Sequence, residues 1–89
     1  MNKERYIEKI KELLKDCNAN KKDTTLILNA ADFVEAEIEY EPDYRRQINI
    51  VFGYPTIIER RMPRGTIIVA RKSSNGNIAD TWEGLYDKN

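Results

Sequence analysis

The chain has 89 residues, with 15 lysines and arginines balanced by 15 aspartates and glutamates, no histidine and one cysteine. That length suits one domain, 1–89, with one core, and 40% hydrophobic residues at zero net charge lie outside the disordered class. Lack of histidine removes imidazole chemistry and, beside a lone cysteine, the Cys/His zinc sites and the Cys–His nucleophile pair.

The four glycines, Gly53, Gly65, Gly76 and Gly84, stand apart from one another, so no phosphate-cradling fingerprint runs through them. No pair of carboxylates is singled out for acid–base work. A non-enzyme is expected, with no catalytic residue, metal or cofactor. No apolar run approaches a membrane span, and MNKER at the N-terminus lacks an apolar leader. A single cysteine fits a reducing compartment, so a cytoplasmic location is expected.

Residues 3–17 read as a helix. Tyr6, Ile7, Ile10, Leu13, Leu14 and Cys17 form one stripe at a period of 3.6, Asn2 is the N-cap and Glu4 lies in the first turn. Opposite charges three apart, such as Glu8–Lys11, mark the solvated side. Beyond residue 23 the period changes to two. Thr24–Leu28 is β-branched and apolar. Phe33–Tyr40 alternates Val34, Ala36, Ile38 and Tyr40 against Glu35, Glu37 and Glu39, the pattern of a half-buried antiparallel strand. Glu41-Pro42-Asp43 supplies a turn. Arg46–Phe52 alternates again, Gly53-Tyr54-Pro55 breaks it, and Thr56–Met62 is a further candidate. Thr66–Arg71 is a strand, and Asn75-Gly76 predicts a two-residue hairpin. Residues 77–82 then return antiparallel, and Asp80–Glu83 fits either more strand or a capped helical turn.

The expected class is α+β: one N-terminal amphipathic helix packed on an antiparallel sheet, or on a small partly open barrel, of about five strands. A leading helix before five short strands is also the layout of the Sm-like RNA-binding proteins. RMPRGTIIVAR resembles the Arg-Gly turn before one of their later strands. The earlier glycine and Asp/Asn landmarks of that family are absent here, so the likeness covers a layout and one dipeptide.

Charge is segregated along the chain. Residues 31–44 carry Asp32, Glu35, Glu37, Glu39, Glu41 and Asp43 with no base; residues 45–72 carry six arginines and Lys72 against Glu59 alone. The bland reading is cross-strand ion pairing between the two blocks. The functional reading takes arginine's planar fork as an anion clamp. Arg45, Arg46, Arg60, Arg61, Arg64 and Arg71 would then bind a phosphate-bearing small ligand, nucleotide or nucleic acid end, with Tyr54 stacking. The alternative is a protein–protein modulator or inhibitor, of the kind found among virus and mobile-element accessory proteins. It would dock through Glu35, Glu37 and Glu39 and the C-terminal aromatics Trp82 and Tyr86. Blocks of opposite sign also suit a homo-oligomer assembled head to tail.

Overall fold

The structure is a computed structural model and describes residues 1–86. Helix α1 spans Lys3–Asp16. The Asn2 side chain accepts the Arg5 amide at 3.2 Å, while Glu4 in the first turn and Lys15 in the last suit the helix dipole. A Schellman motif closes the helix. Asn18 takes φ 55°, its amide donates to the Lys15 carbonyl at 3.0 Å, and the Ala19 amide donates to the Leu14 carbonyl at 2.9 Å.

Six strands follow: β1 (Thr24–Asn29), β2 (Glu41–Asp43), β3 (Ile48–Val51), β4 (Tyr54–Glu59), β5 (Thr66–Lys72) and β6 (Ile78–Leu85). A short helix, α2 (Ala30–Glu35), follows β1. The sheet order is β2-β3-β4-β1-β5-β6. Strands β1 and β4 are parallel, and every other neighbouring pair is antiparallel. The sheet is open, with β2 and β6 at its edges, so neither a closed barrel nor the Sm-like layout is formed.

Register sorts the side chains into two faces. Leu26 and Leu28 of β1 stand beside Thr56 and Ile58 of β4, and beside Val69 and Ile67 of β5. On this face Tyr6, Ile10, Leu14 and Cys17 from the helical stripe meet Leu26, Leu28, Val51, Ile67 and Val69 in one cluster, joined by Phe33, Ala36 and Ile38. Each large aliphatic group removed from water contributes roughly 1.5–3 kcal/mol, so this face holds the fold together. Cys17 is among the buried residues, as the stripe predicts, and burial pushes its thiol pKa up.

The expected strand over Phe33–Tyr40 is not formed. Asn29 ends β1 and caps α2, accepting the Asp32 amide at 2.9 Å. Local capping and two alanines, the best helix formers, override the period-two pattern. Helical spacing turns Phe33 and Ala36 inward and leaves Val34 71% exposed. Glu37 then takes φ 51° and redirects the chain, and only Glu41–Asp43 pairs, as edge strand β2. Glu35, Glu37 and Glu39 therefore share no strand face.

The chain returns antiparallel after Asn75-Gly76 as expected, forming the β5–β6 hairpin, but the tight turn lies elsewhere. The two-residue turn is Phe52-Gly53, both at positive φ (52° and 81°), between the paired residues Val51 and Tyr54. Phe52 tolerates that conformation while packing on the core, with the Lys11 ammonium 5.0 Å from its ring centroid. At Asn75-Gly76 only Gly76 is left-handed, and the Ser73 amide donates to the Asn77 carbonyl at 2.7 Å across a longer loop. Asp80–Glu83 continues β6.

Candidate functional site

The opposed charge blocks meet at one buried point. Asp32, fully buried, accepts the Arg64 Nε and the Gly65 amide, both at 2.6 Å. The other end of the Arg64 fork reaches Glu35 at 2.9 Å, and these two carboxylate bonds push the guanidinium pKa up. Asn29 completes the clamp, its side-chain amide donating to the Met62 carbonyl at 2.6 Å. Gly65 is needed here: it sits at φ 84°, and a Cβ would lie 3.0 Å from the Tyr86 carbonyl oxygen. The Met62–Gly65 turn is thus pinned to α2 by Arg64.

The remaining cations do not converge on one ligand. Arg71 points to the helix-covered side, donates to the Cys17 carbonyl at 2.6 Å and stacks 4.8 Å from the Trp82 ring centroid. Arg46 pairs with Asp43 at 3.2 Å, with Arg45 exposed beside it in the turn after β2. Arg60 and Arg61 are exposed beyond the end of β4. Tyr54 opens that strand six positions earlier, about 20 Å away at the rise of an extended chain, and lies under Lys21 at 5.9 Å. Stacking by Tyr54 and clamping by Arg60 thus belong to opposite ends of a strand.

The residues expected to meet a protein are scattered as well. Glu35 is held by Arg64, and Glu37 pairs with Lys3 at 2.8 Å. Glu39 is exposed at the rim of a groove of about 390 Å³ that also takes in Tyr40, Glu41 and Phe52. Trp82 is half-buried under Arg71. Tyr86 is buried, its ring edge-on to Tyr6 at 5.6 Å and its hydroxyl accepting the Asn2 amide at 2.8 Å.

Side chains do converge on the second face of the sheet. A groove of about 350 Å³ has a floor that includes Ile27, Pro55, Ile57 and Ala70, and its charged lining is Lys22, Asp23, Arg46 and Lys72. Among the described residues neither Lys22 nor Lys72 is in an ion pair. No described helix lies over this floor, because α1 and α2 both pack into the cluster on the opposite face. Ile57 stays 44% exposed and Ile78 62%.

The signal for this face was present in the sequence. Leu26-Ile27-Leu28, Ile57-Ile58 and Ile67-Ile68-Val69 are unbroken apolar runs in three adjacent strands. Such runs characterise strands covered on both faces, whereas a single amphipathic helix covers one.

Among the described residues no cluster of carboxylates and thiols is placed to hold a metal ion, and no helix is long and apolar enough to cross a membrane. Compared with protein-family models, with curated proteins and with solved structures, the chain finds no match.

Proposed function

We propose that the chain is a non-enzymatic binding module of the cytoplasm whose working surface is the open face of the sheet. Its partner is a protein surface that presents aliphatic side chains beside carboxylates. One observation carries this reading: three central strands are apolar on both faces, and the helices lie over only one. The chemistry of the uncovered floor supports a protein over a nucleic acid. Single-stranded nucleic acid is held by aromatic platforms on which bases stack, and this floor is isoleucine, proline and alanine. Lys22 and Lys72, outside ion pairs among the described residues and set against the single acid Asp23, add preference for negative charge and for a particular orientation.

A second reading, capture of a phosphate-bearing ligand, draws on those same cations, since Lys22 and Lys72 stand unpaired among the described residues. One set of variants separates the two. Under the protein reading, partner copurified from the native cells is retained by Arg60→Gln/Arg61→Gln and lost with Ile57→Asp. Calorimetry with a nucleoside triphosphate and a short oligonucleotide tests the other reading. Binding that Lys22→Gln/Lys72→Gln abolishes and Ile57→Asp leaves intact would replace the protein partner with a phosphate ligand.

A further inference from the structure

The strands β4, β1, β5 and β6 of the open face carry cations at one end and acids toward the other, and that polarity names an occupant. Strand β1 begins at Thr24 beside the end of β5, where Thr24 pairs with Arg71, so Lys22 and Lys72 lie at the same end of the sheet. At the other end β4 finishes at Glu59, which is in step with Ile57 and Pro55 on the open side. Glu83 of β6 pairs with Ile68 of β5, also on the open side and displaced from Lys72 toward the Glu59 end. On the β2–β3 flank the order is reversed. Arg46, beyond the start of β3, lies at the Glu59 end and is paired with Asp43 at 3.2 Å. Glu41 pairs with Ile50, whose partner Pro55 lies toward the Lys22 end. Lys22 and Lys72 therefore each have an acid on a neighbouring strand, displaced along the strand direction.

We infer that a second copy of this chain packs face to face on the open sheet, related by a twofold axis in the plane between the sheets and perpendicular to the strands. The inference rests on the reading of this face as the binding surface and identifies the partner. Rotation about that axis keeps each strand over its own counterpart and reverses its direction. Lys22 then meets Glu59 of the partner subunit and Lys72 meets Glu83 of the partner subunit, while Arg46 keeps its pairing with Asp43 of its own chain. A twofold axis along the strands instead sets Lys22 over the start of the opposite β4, where Gly53 and Tyr54 carry no charge. Charge complementarity thus selects one of the two face-to-face arrangements.

The dimensions suit a stable pair. Six strands about 4.8 Å apart and some 20 Å long present on the order of 500 Å² of face per copy, hence about 1,000 Å² in total, where specific interfaces begin. The product is a two-layer sandwich with the apolar floors about 10 Å apart and the helices outside.

Sedimentation equilibrium across micromolar to millimolar concentrations tests the proposal. The wild-type chain forms a dimer that weakens as salt rises, and Ile57→Asp is monomeric. Ile57 is 44% exposed, so the change leaves the circular dichroism spectrum native; Ile78→Asp, at a still more exposed site, is the second variant. The orientation is tested by charge exchange. Lys22→Glu/Lys72→Glu and Glu59→Lys/Glu83→Lys each dimerise about tenfold more weakly alone, a loss of about 1.4 kcal/mol, and recover wild-type affinity when mixed. Failure of the mixture to recover overturns this orientation. A wild-type chain monomeric at all concentrations overturns the dimer. If the Ile57→Asp variant of that monomer still loses its copurified protein, the face remains a binding surface with another occupant; if it keeps the protein, both readings fall.

Discussion

The two faces of this sheet are built from the same aliphatic side chains and differ in what lies over them. On the covered face Leu26, Leu28, Ile67 and Val69 are fully buried under Tyr6 and Ile10. On the other face Ile27, Ile57 and Ile68, one residue along in each strand, remain in contact with water. Apolar composition alone does not decide burial: the stripe on α1 is wide enough for one side only, and the second layer must come from elsewhere. Folding draws on the first face, and association is left to the second.

The sharpest way to break that contrast is a matched pair of truncations. Leu26→Ala removes a fully buried group and is expected to cost about 2–5 kcal/mol. Ile57→Ala in the isolated chain is expected to cost under about 1 kcal/mol. Urea denaturation measures both, and equal losses would show that the open face is already covered in the monomer. The next effect is polar. Asp32→Ala orphans the buried Gly65 amide and releases Arg64, and is expected to cost on the order of 3 kcal/mol. Asp32→Asn, which keeps an acceptor for that amide, should recover part of the loss.

Smaller effects sharpen the comparison among the arginines. Arg71→Gln loses the stack on Trp82 and the bond to the Cys17 carbonyl, for about 1 kcal/mol in thermal unfolding. Arg60→Gln/Arg61→Gln, at exposed positions, should stay within about 0.5 kcal/mol of wild type.

The smallest expected effect at neutral pH is that of Tyr6→Phe. The Tyr6 hydroxyl is buried with no hydrogen-bond partner among the described residues, so its removal is close to neutral or slightly stabilising. Burial, followed by the negative charge of Asp32, pushes its pKa well above the ordinary tyrosine value. Above pH about 10 the unfolded chain ionises this group and the folded chain does not, so stability falls as pH rises. The variant should show a shallower alkaline loss than the wild type, and identical slopes would count against a buried, protonated Tyr6.

Helix α1 was legible to within one residue at its end because one stripe, one cap and one charge pattern all agree over four turns. The Phe33–Tyr40 segment was not, because there a strand pattern competes with a cap. Asn29 and Asp32 sit three apart, and that local bond settles a contest that alternation alone leaves open. The arginines show the same limit. Sequence marked residues 45–72 as the basic block, yet Arg64 reaches back across the chain to Asp32, 32 residues away. No spacing rule carries that contact, since it depends on α2 delivering its first turn against the Met62–Gly65 turn. The open face was visible only as apolar runs longer than one helix can cover, and Lys22, ahead of β1, carried no pattern of its own.

The parallel pairing of β1 with β4 also sets the order in which the chain can fold. Strand β1 is made early, but its two neighbours are β4 and β5, so Leu26 waits for Thr56 on one side and Val69 on the other. Each contact closes a loop of roughly 30 to 40 residues before any ladder bond repays the lost entropy. The three local hairpins, β2–β3, β3–β4 and β5–β6, need no such closure and are expected to form first, within microseconds. They then act as the template on which β1 inserts as the middle strand and α1 docks last, a step slowed by its high contact order. On a ribosome, the first half of the chain exposes Leu26, Ile27 and Leu28 with nothing to pair against until β4 has emerged, and with one edge still open until residue 72 follows. In that interval the same apolar run is an aggregation hazard, and the lysines and aspartate of Lys21-Lys22-Asp23 just ahead of it are the charges that restrain it.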